Sequence, residues 1–324
     1  MTNLQVVTTQ ETATIVEVGN SFSAALVVDW LSYNADKAET TIRTYGKALK
    51  FFFQWLADNN VTNPRREDVI RYRNELAATK KISTARLYLS ALKIFNKWLS
   101  SKGLYLDFCS GISTPKLDEE GETHSRESLS LEEAKDVLNS FKGKTDEKSL
   151  RDALILRVML NCGLRSCEIC RLDATDIEKR HGKIFLRVWG KGRSGKTSKV
   201  EISATVYNQI MDYLNVRGSK RMKGEPMFTS TANRNRGQRL QTQTVSKLAK
   251  ATFRKIGIDS PSIVCHSCRH FAITQMLLAG VDIEAVRQIA RHKSTSTTQV
   301  YRHDITAANN IGVQTLSDLL DDVA

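Results

Sequence analysis

Apolar residues between positions 42 and 56 recur at helical spacing. Ile42, Tyr45, Leu49, Phe52 and Leu56 form one stripe, with Arg43, Lys47 and Lys50 beside it on a polar face. The pattern predicts an amphipathic helix, preceded by a shorter one over 22–33 (FSAALVVDWLSY). Pro64 suits the first turn of a third helix. A fourth is expected from Ser83 to about Ser101, with Leu87, Ala91, Phe95 and Trp98 facing a core and Arg86, Lys93 and Lys97 forming a basic stripe. Such basic faces are either solvated or laid against a phosphate backbone. Residues 1–20 are polar and aperiodic and read as a flexible arm. Residues 111–128 (GISTPKLDEEGETHSRES) carry Gly and Pro without periodicity and read as a linker.

Beyond that linker, Ser130 and Glu133 are spaced for a capping box. A long apolar helix follows over about 148–161, Gly163 breaks it, and a short helix begins near Arg165. The segments KIFLRVW and SKVEIS alternate like strands around GKGRSGKT, which predicts a β-hairpin. Helices are expected at about 204–216, 243–256, 267–279 and 282–291, and a last amphipathic one at about 305–322. The 324 residues suffice for two domains. The expected fold is mainly α with a small β-sheet: a helical domain over 21–110, the linker, a larger domain over 129–304 and a closing helix over 305–324.

Charge narrows the function. The formal net charge is +13, and the segment from Lys179 to Lys255 holds 19 Lys/Arg against Glu201, Asp212 and Glu225. The first 20 residues hold no Lys or Arg, and the end of the chain is acidic at Asp318, Asp321 and Asp322. So concentrated a basic surface is the footprint of a polyanion binder, and nucleic acid is the commonest polyanion. No apolar run approaches the roughly 18–20 residues of a membrane span. No basic start leads into an apolar stretch. Six cysteines do not make a disulfide scaffold. A reduced, cytoplasmic protein is expected.

Arg165, His266, Arg269, His292 and Tyr301 carry the candidate chemistry. His266 and Arg269 are three apart at a helix start and share a face. Two guanidiniums clamp a phosphate bidentately and suit the charge of a pentacoordinate phosphorus. Tyrosine becomes a nucleophile when neighbours take its proton or stabilise its charge. A lysine of the GKG turn can protonate a leaving alkoxide. Singly, each has an ordinary reading: Arg165 pairing with Glu168, His266 as a helix-start residue, His292 on the surface, Tyr301 in a core. Cys167/Cys170 and Cys265/Cys268 have the spacing of a four-cysteine zinc site. Both pairs fall in or beside helices, where cysteines are more often small core residues, so no metal is expected.

Jointly, these residues resemble the tyrosine recombinase family, also called phage integrases. CHSCRHFAITQMLLAGVDIEAVRQIARHKSTSTTQVYRH resembles its active-site segment, His-x-x-Arg-His falling on His266, Arg269 and His270, followed by AGVD, His292 and, nine residues later, Tyr301. GLRSCEICRL resembles its first arginine box, with Arg165 and the acidic companion Glu168. VWGKGRSGKTSKVEI resembles the hairpin that carries a catalytic lysine, placed at Lys191. Two departures stand out. Arg291 occupies a position that is usually glycine, which is acceptable if the helix continues through it. The hairpin turn is about two residues longer than usual, so Lys196 competes with Lys191.

The resemblance implies a helical SAM-like core-binding domain and a tyrosine-recombinase catalytic domain, closest in type to the two-domain, Xer-like members. It implies that Tyr301 becomes joined to a DNA 3′-phosphate without metal, ATP or other cofactor. Arg165, Arg269 and His292 would hold the phosphate, His266 would act as acid/base and Lys191 would serve the leaving oxygen. Arg43, Lys47, Lys50, Arg86, Lys93 and Lys97 would meet double-stranded DNA. Four protomers would act on two DNA sites, linked by exchange of the 305–324 helix, with room for a second recombinase or a directionality factor. A mobile-element integrase, an invertase and a chromosome-dimer resolvase all fit. A type IB topoisomerase-like enzyme, a non-catalytic DNA-binding module and a zinc-dependent one are the competing readings.

Overall fold

In the computed structural model, residues 24–115, 127–190 and 195–301 are described. The chain divides into two compact units, 1–120 and 121–324. Four helices build the first: α1 (Ala24–Tyr33), α2 (Glu39–Asp58), α3 (Arg66–Thr79) and α4 (Ile82–Ser101). The apolar face of α2 buries Leu49, Phe52, Phe53 and Leu56 against α4. Aromatic edges lock this core, with Trp30 and Phe95 centroids 5.3 Å apart and Phe52 and Tyr72 5.0 Å apart.

Two expectations need correction here. Pro64 lies before the helix, whose N-cap is Arg65. In α4 the buried face holds the expected Ala91 and Phe95 but runs through Ala85, Tyr88, Leu89, Leu92, Asn96 and Leu99 as well, and Leu87 is exposed. The chain after α4 folds back onto the same core, as expected of a helical domain reaching residue 110. Buried Asn96 donates to the Leu106 carbonyl at 3.0 Å and accepts from the Cys109 amide at 3.0 Å. This brings Phe108, Cys109 and Ile112 into the core.

The second unit is built around α6 (Glu147–Cys162). Asp146 caps it by accepting from the Ser149 amide. Its buried residues lie on almost every side, as expected of a central helix, and it packs on α5 (Leu131–Asn139), α8 (Ala204–Val216) and α10 (Ser267–Leu278). The capping box of Ser130 and Glu133 starts α5. Gly163, at φ 58°, ends α6 in the left-handed conformation that glycine adopts at little cost. The short helix α7 (Ser166–Arg171) follows at once.

The sheet is antiparallel, β1 (Ile177–Arg180), β2 (Lys183–Val188) and β3 (Ser198–Ile202), with Leu186 paired to Val200. The hairpin of β2 and β3 is the expected one. Strand β1, which its charged sequence IEKR conceals, joins β2 through His181 and Gly182, both at positive φ, as a two-residue hairpin turn requires. Helices α9 (Thr242–Lys255), α10 and α11 (Ile283–Ala290) complete the unit. Among the described residues no helix is long and apolar enough to cross a membrane. The N-terminal arm and the expected helix at 305–324 lie outside the described residues.

Candidate active site

The site begins where α6 ends. Leu164 is buried, so the chain turns Arg165 outward as the N-cap of α7. Arg165 donates its backbone N–H to Glu168 Oε2 at 2.8 Å and its Nη1 to Oε1 at 3.0 Å. Glu168 is fully buried. Burial pushes its carboxyl up, but Arg291 and then Arg165 outweigh that and hold it below the usual carboxylate range.

Arg269 lies in the first turn of α10 and is 1% exposed. It donates to the carbonyls of Gly163 and Ala290, the ends of α6 and α11. These two bonds leave N–H donors over for an oxyanion. Burial, then Arg165 and Arg291, push its guanidinium down to about 9, which leaves it protonated at neutral pH.

His292 follows α11 and is buried, with Nδ1 2.8 Å from the Thr298 hydroxyl. That contact orients the ring and leaves Nε2 for a ligand. Burial, then Arg269, Arg165 and Arg291, push the imidazole down to about 3, so it is neutral at pH 7. Tyr301 is 3% exposed, in a small cluster with Ile273, Val286 and Ala290. Its ring centroid is 5.0 Å from His270 and 6.1 Å from His292, and His270 is 4.9 Å from His266. A cavity of about 230 Å³ opens beside Arg165, His292, Lys293 and Arg291.

The depressed imidazole of His292 has a pH consequence. An unfolded histidine titrates near 6.5. Between about pH 6.5 and 3 the unfolded chain therefore binds a proton that the folded chain lacks at His292, so stability falls as pH falls through that window and is complete above it. His292→Gln should flatten this dependence. Urea midpoints at pH 7 and pH 5 check it, and parallel profiles for the two proteins would contradict it.

Thus Arg165, Glu168, Arg269, His270, His292 and Tyr301 come together, with His266 next to His270. Lys191 lies outside the described residues. Lys196 is held by Asp173 and Asp176. In the first unit Arg43, Lys47, Lys50 and Lys97 are exposed, Arg43 pairing with Glu39 at 2.8 Å. Arg86 and Lys93 turn instead to the carbonyls of Pro115 and Ile112 in their own unit. Cys170, Cys265 and Cys268 are buried, and burial raises each thiol. Among the described residues no three His, Cys, Asp or Glu side chains converge as a metal-binding group.

Sequence reasoning missed two groups. Thr298 lies in the run STSTT, where nothing marks it as the partner of His292. Arg291 was visible only as a departure. Helix α11 does not continue through it: the helix ends at Ala290, and Arg291 takes φ 58°. Its side chain turns inward onto Glu168 at 2.8 Å.

The chain thus has a helical unit and an α-rich unit, and in the second a cavity lined by Arg165, Arg291 and His292 lies near the buried ring of Tyr301. The chain belongs to the phage integrase family. The family profile matches residues 127–307, and that of the phage integrase N-terminal SAM-like domain matches 28–103. Over 175 residues it is 30% identical to tyrosine recombinase XerC of Corynebacterium glutamicum, covering 54% of each chain. Over 281 residues it is 28% identical to tyrosine recombinase XerD of Halalkalibacterium halodurans, covering 82% of this chain and 87% of that one. The chain spans about half the length of several curated relatives it matches. Its fold is similar to that of the XerH site-specific recombinase bound to a palindromic difH substrate in a post-cleavage complex, with TM-score 0.71, 18% identity and coverage of 89% and 84%.

Proposed function

We propose that this protein is a site-specific DNA recombinase that cuts and rejoins strands through Tyr301. The observation that carries the reading is the convergence of Arg165, Arg269 and a neutral His292 beside Tyr301. Tyr301 Oη attacks a DNA phosphorus, an Oη–P bond forms and the P–O5′ bond breaks. The phenolic proton passes to the histidine side, with His266 as acid/base, and Lys191 protonates the departing 5′-oxygen. The two arginines carry the added negative charge of the pentacoordinate phosphorus. The phosphotyrosyl ester conserves the energy of the diester, so a second 5′-hydroxyl reverses the step without ATP. The net charge of +13 supports double-stranded DNA as partner. Four protomers on two sites, exchanging their 305–324 segments, are part of the same reading.

The engagement of Lys196 with Asp173 and Asp176 favours Lys191 as the general acid. Lys191→Met is expected to slow strand cleavage by about 10²–10⁴-fold at unchanged melting temperature. Lys196→Met is expected to lower the melting temperature instead. The reverse pattern would transfer the role to Lys196.

The direct test recovers tagged protein from cells under denaturing conditions with EDTA and sequences any attached DNA. A recurrent attached sequence is the expected result. A chain that carries no DNA under these conditions would favour a non-catalytic DNA-binding module.

A further inference from the structure

Of the four non-glycine residues at positive φ among the described residues, Asn60, His181 and Arg221 sit in exposed connections. Arg291 alone among them directs a side chain inward, and that side chain is 8% exposed. Its Nη2 meets Glu168 Oε2 at 2.8 Å and the Gly163 carbonyl at 3.3 Å. Its Nε meets Glu168 Oε1 at 3.3 Å, and its Nη1 meets the Ile289 carbonyl at 2.6 Å. Four of its five N–H donors are therefore satisfied within the protein. Among the described residues Arg165, by contrast, engages only Nη1 of its guanidinium, on Glu168 at 3.0 Å, and it lies on the cavity.

The two arginines thus compete for one buried carboxylate. A carboxylate facing a single arginine draws its fork into a bidentate pair. With Arg291 bonded to both oxygens of Glu168, the Arg165 guanidinium is restrained to one bond there, beside the bond of its own backbone N–H. We propose that Arg291 is a positioning residue: by occupying Glu168 it keeps the Arg165 fork turned toward an oxyanion in the cavity. Its use in strand transfer rests on the function proposed above, but oxyanion binding is measurable without DNA.

The test is calorimetric titration of the purified full-length protein with inorganic phosphate at low salt. Arg291→Gly suits the left-handed backbone and should weaken phosphate binding at least tenfold, because Arg165 folds onto Glu168. Arg291→Lys, which can still occupy one oxygen of Glu168, should recover most of that loss. It also carries the test if the glycine variant does not fold. In an Arg165→Lys background, which keeps a cation but has no fork to withdraw, Arg291→Gly should cost less than twofold. Equal losses in both backgrounds would mean that Arg291 meets the anion itself and would overturn the proposal. So would unchanged affinity in Arg291→Gly, or a wild-type protein that binds no phosphate. Absence of Tyr301-linked DNA would remove the recombinase reading and leave this result standing.

Discussion

Tyr301→Phe is expected to abolish every covalent attachment between this protein and DNA. The ring of Tyr301 fills a buried niche between Ile273, Val286 and Ala290 and lies against His270 and His292. Phenylalanine keeps that packing and removes only the oxygen. Thermal unfolding should shift by no more than about 4 °C, the equivalent of one lost hydrogen bond. Salt-dependent DNA retention should stay unchanged, because no charge is altered. Denaturing recovery followed by nuclease digestion and mass measurement would locate any remaining nucleotide. Adducts persisting in the variant would move the nucleophile to another residue.

Glu168→Ala should produce the largest loss of stability of any single change in the site. Glu168 is fully buried, and its two oxygens accept from the Arg165 amide, the Arg165 side chain and two nitrogens of Arg291. Removing it leaves the Arg291 guanidinium buried beside Arg269 with no carboxylate between them. Breaking a buried pair in this way costs about 3–5 kcal/mol. Glu168→Gln keeps shape and some acceptors and should cost less, roughly 1–3 kcal/mol. Urea unfolding at pH 7 measures both. A loss below about 1 kcal/mol for alanine would mean that the arginines find other partners or reach water.

Much of the fold was legible because it is local. The stripe of α2 and the β2–β3 hairpin follow from periodicity. The α5 start follows from the Ser130–Glu133 box and the α6 stop from Gly163. The misreading of α4 has a definite cause. Asn96 sits in the middle of the buried face, where it binds the 106–109 segment. A polar residue there makes the true stripe look broken, so the pattern puts Leu87, which is exposed, on the core face with Ala91 and Phe95. Strand β1 was missed because IEKR owes its pairing to β2 and not to its own pattern.

The site divides along the same line. The sequence by itself determined which residue types were available and in what order, and its resemblance to a known family singled out Arg165, His266, Arg269, His292 and Tyr301 as candidates for one chemistry. Only the tertiary structure decided how they are held. Glu168 meets Arg291 across 123 positions, and Arg269 meets the Gly163 carbonyl across 106. Pairs so far apart form only when α6, α7, α10 and α11 pack with their ends together. The left-handed turn at Arg291, where α11 ends, is likewise combined with a side-chain contact to a carboxylate far away in the chain. Burial then sets the charges, since the same imidazole that would titrate near neutrality in water is held neutral beside three guanidiniums.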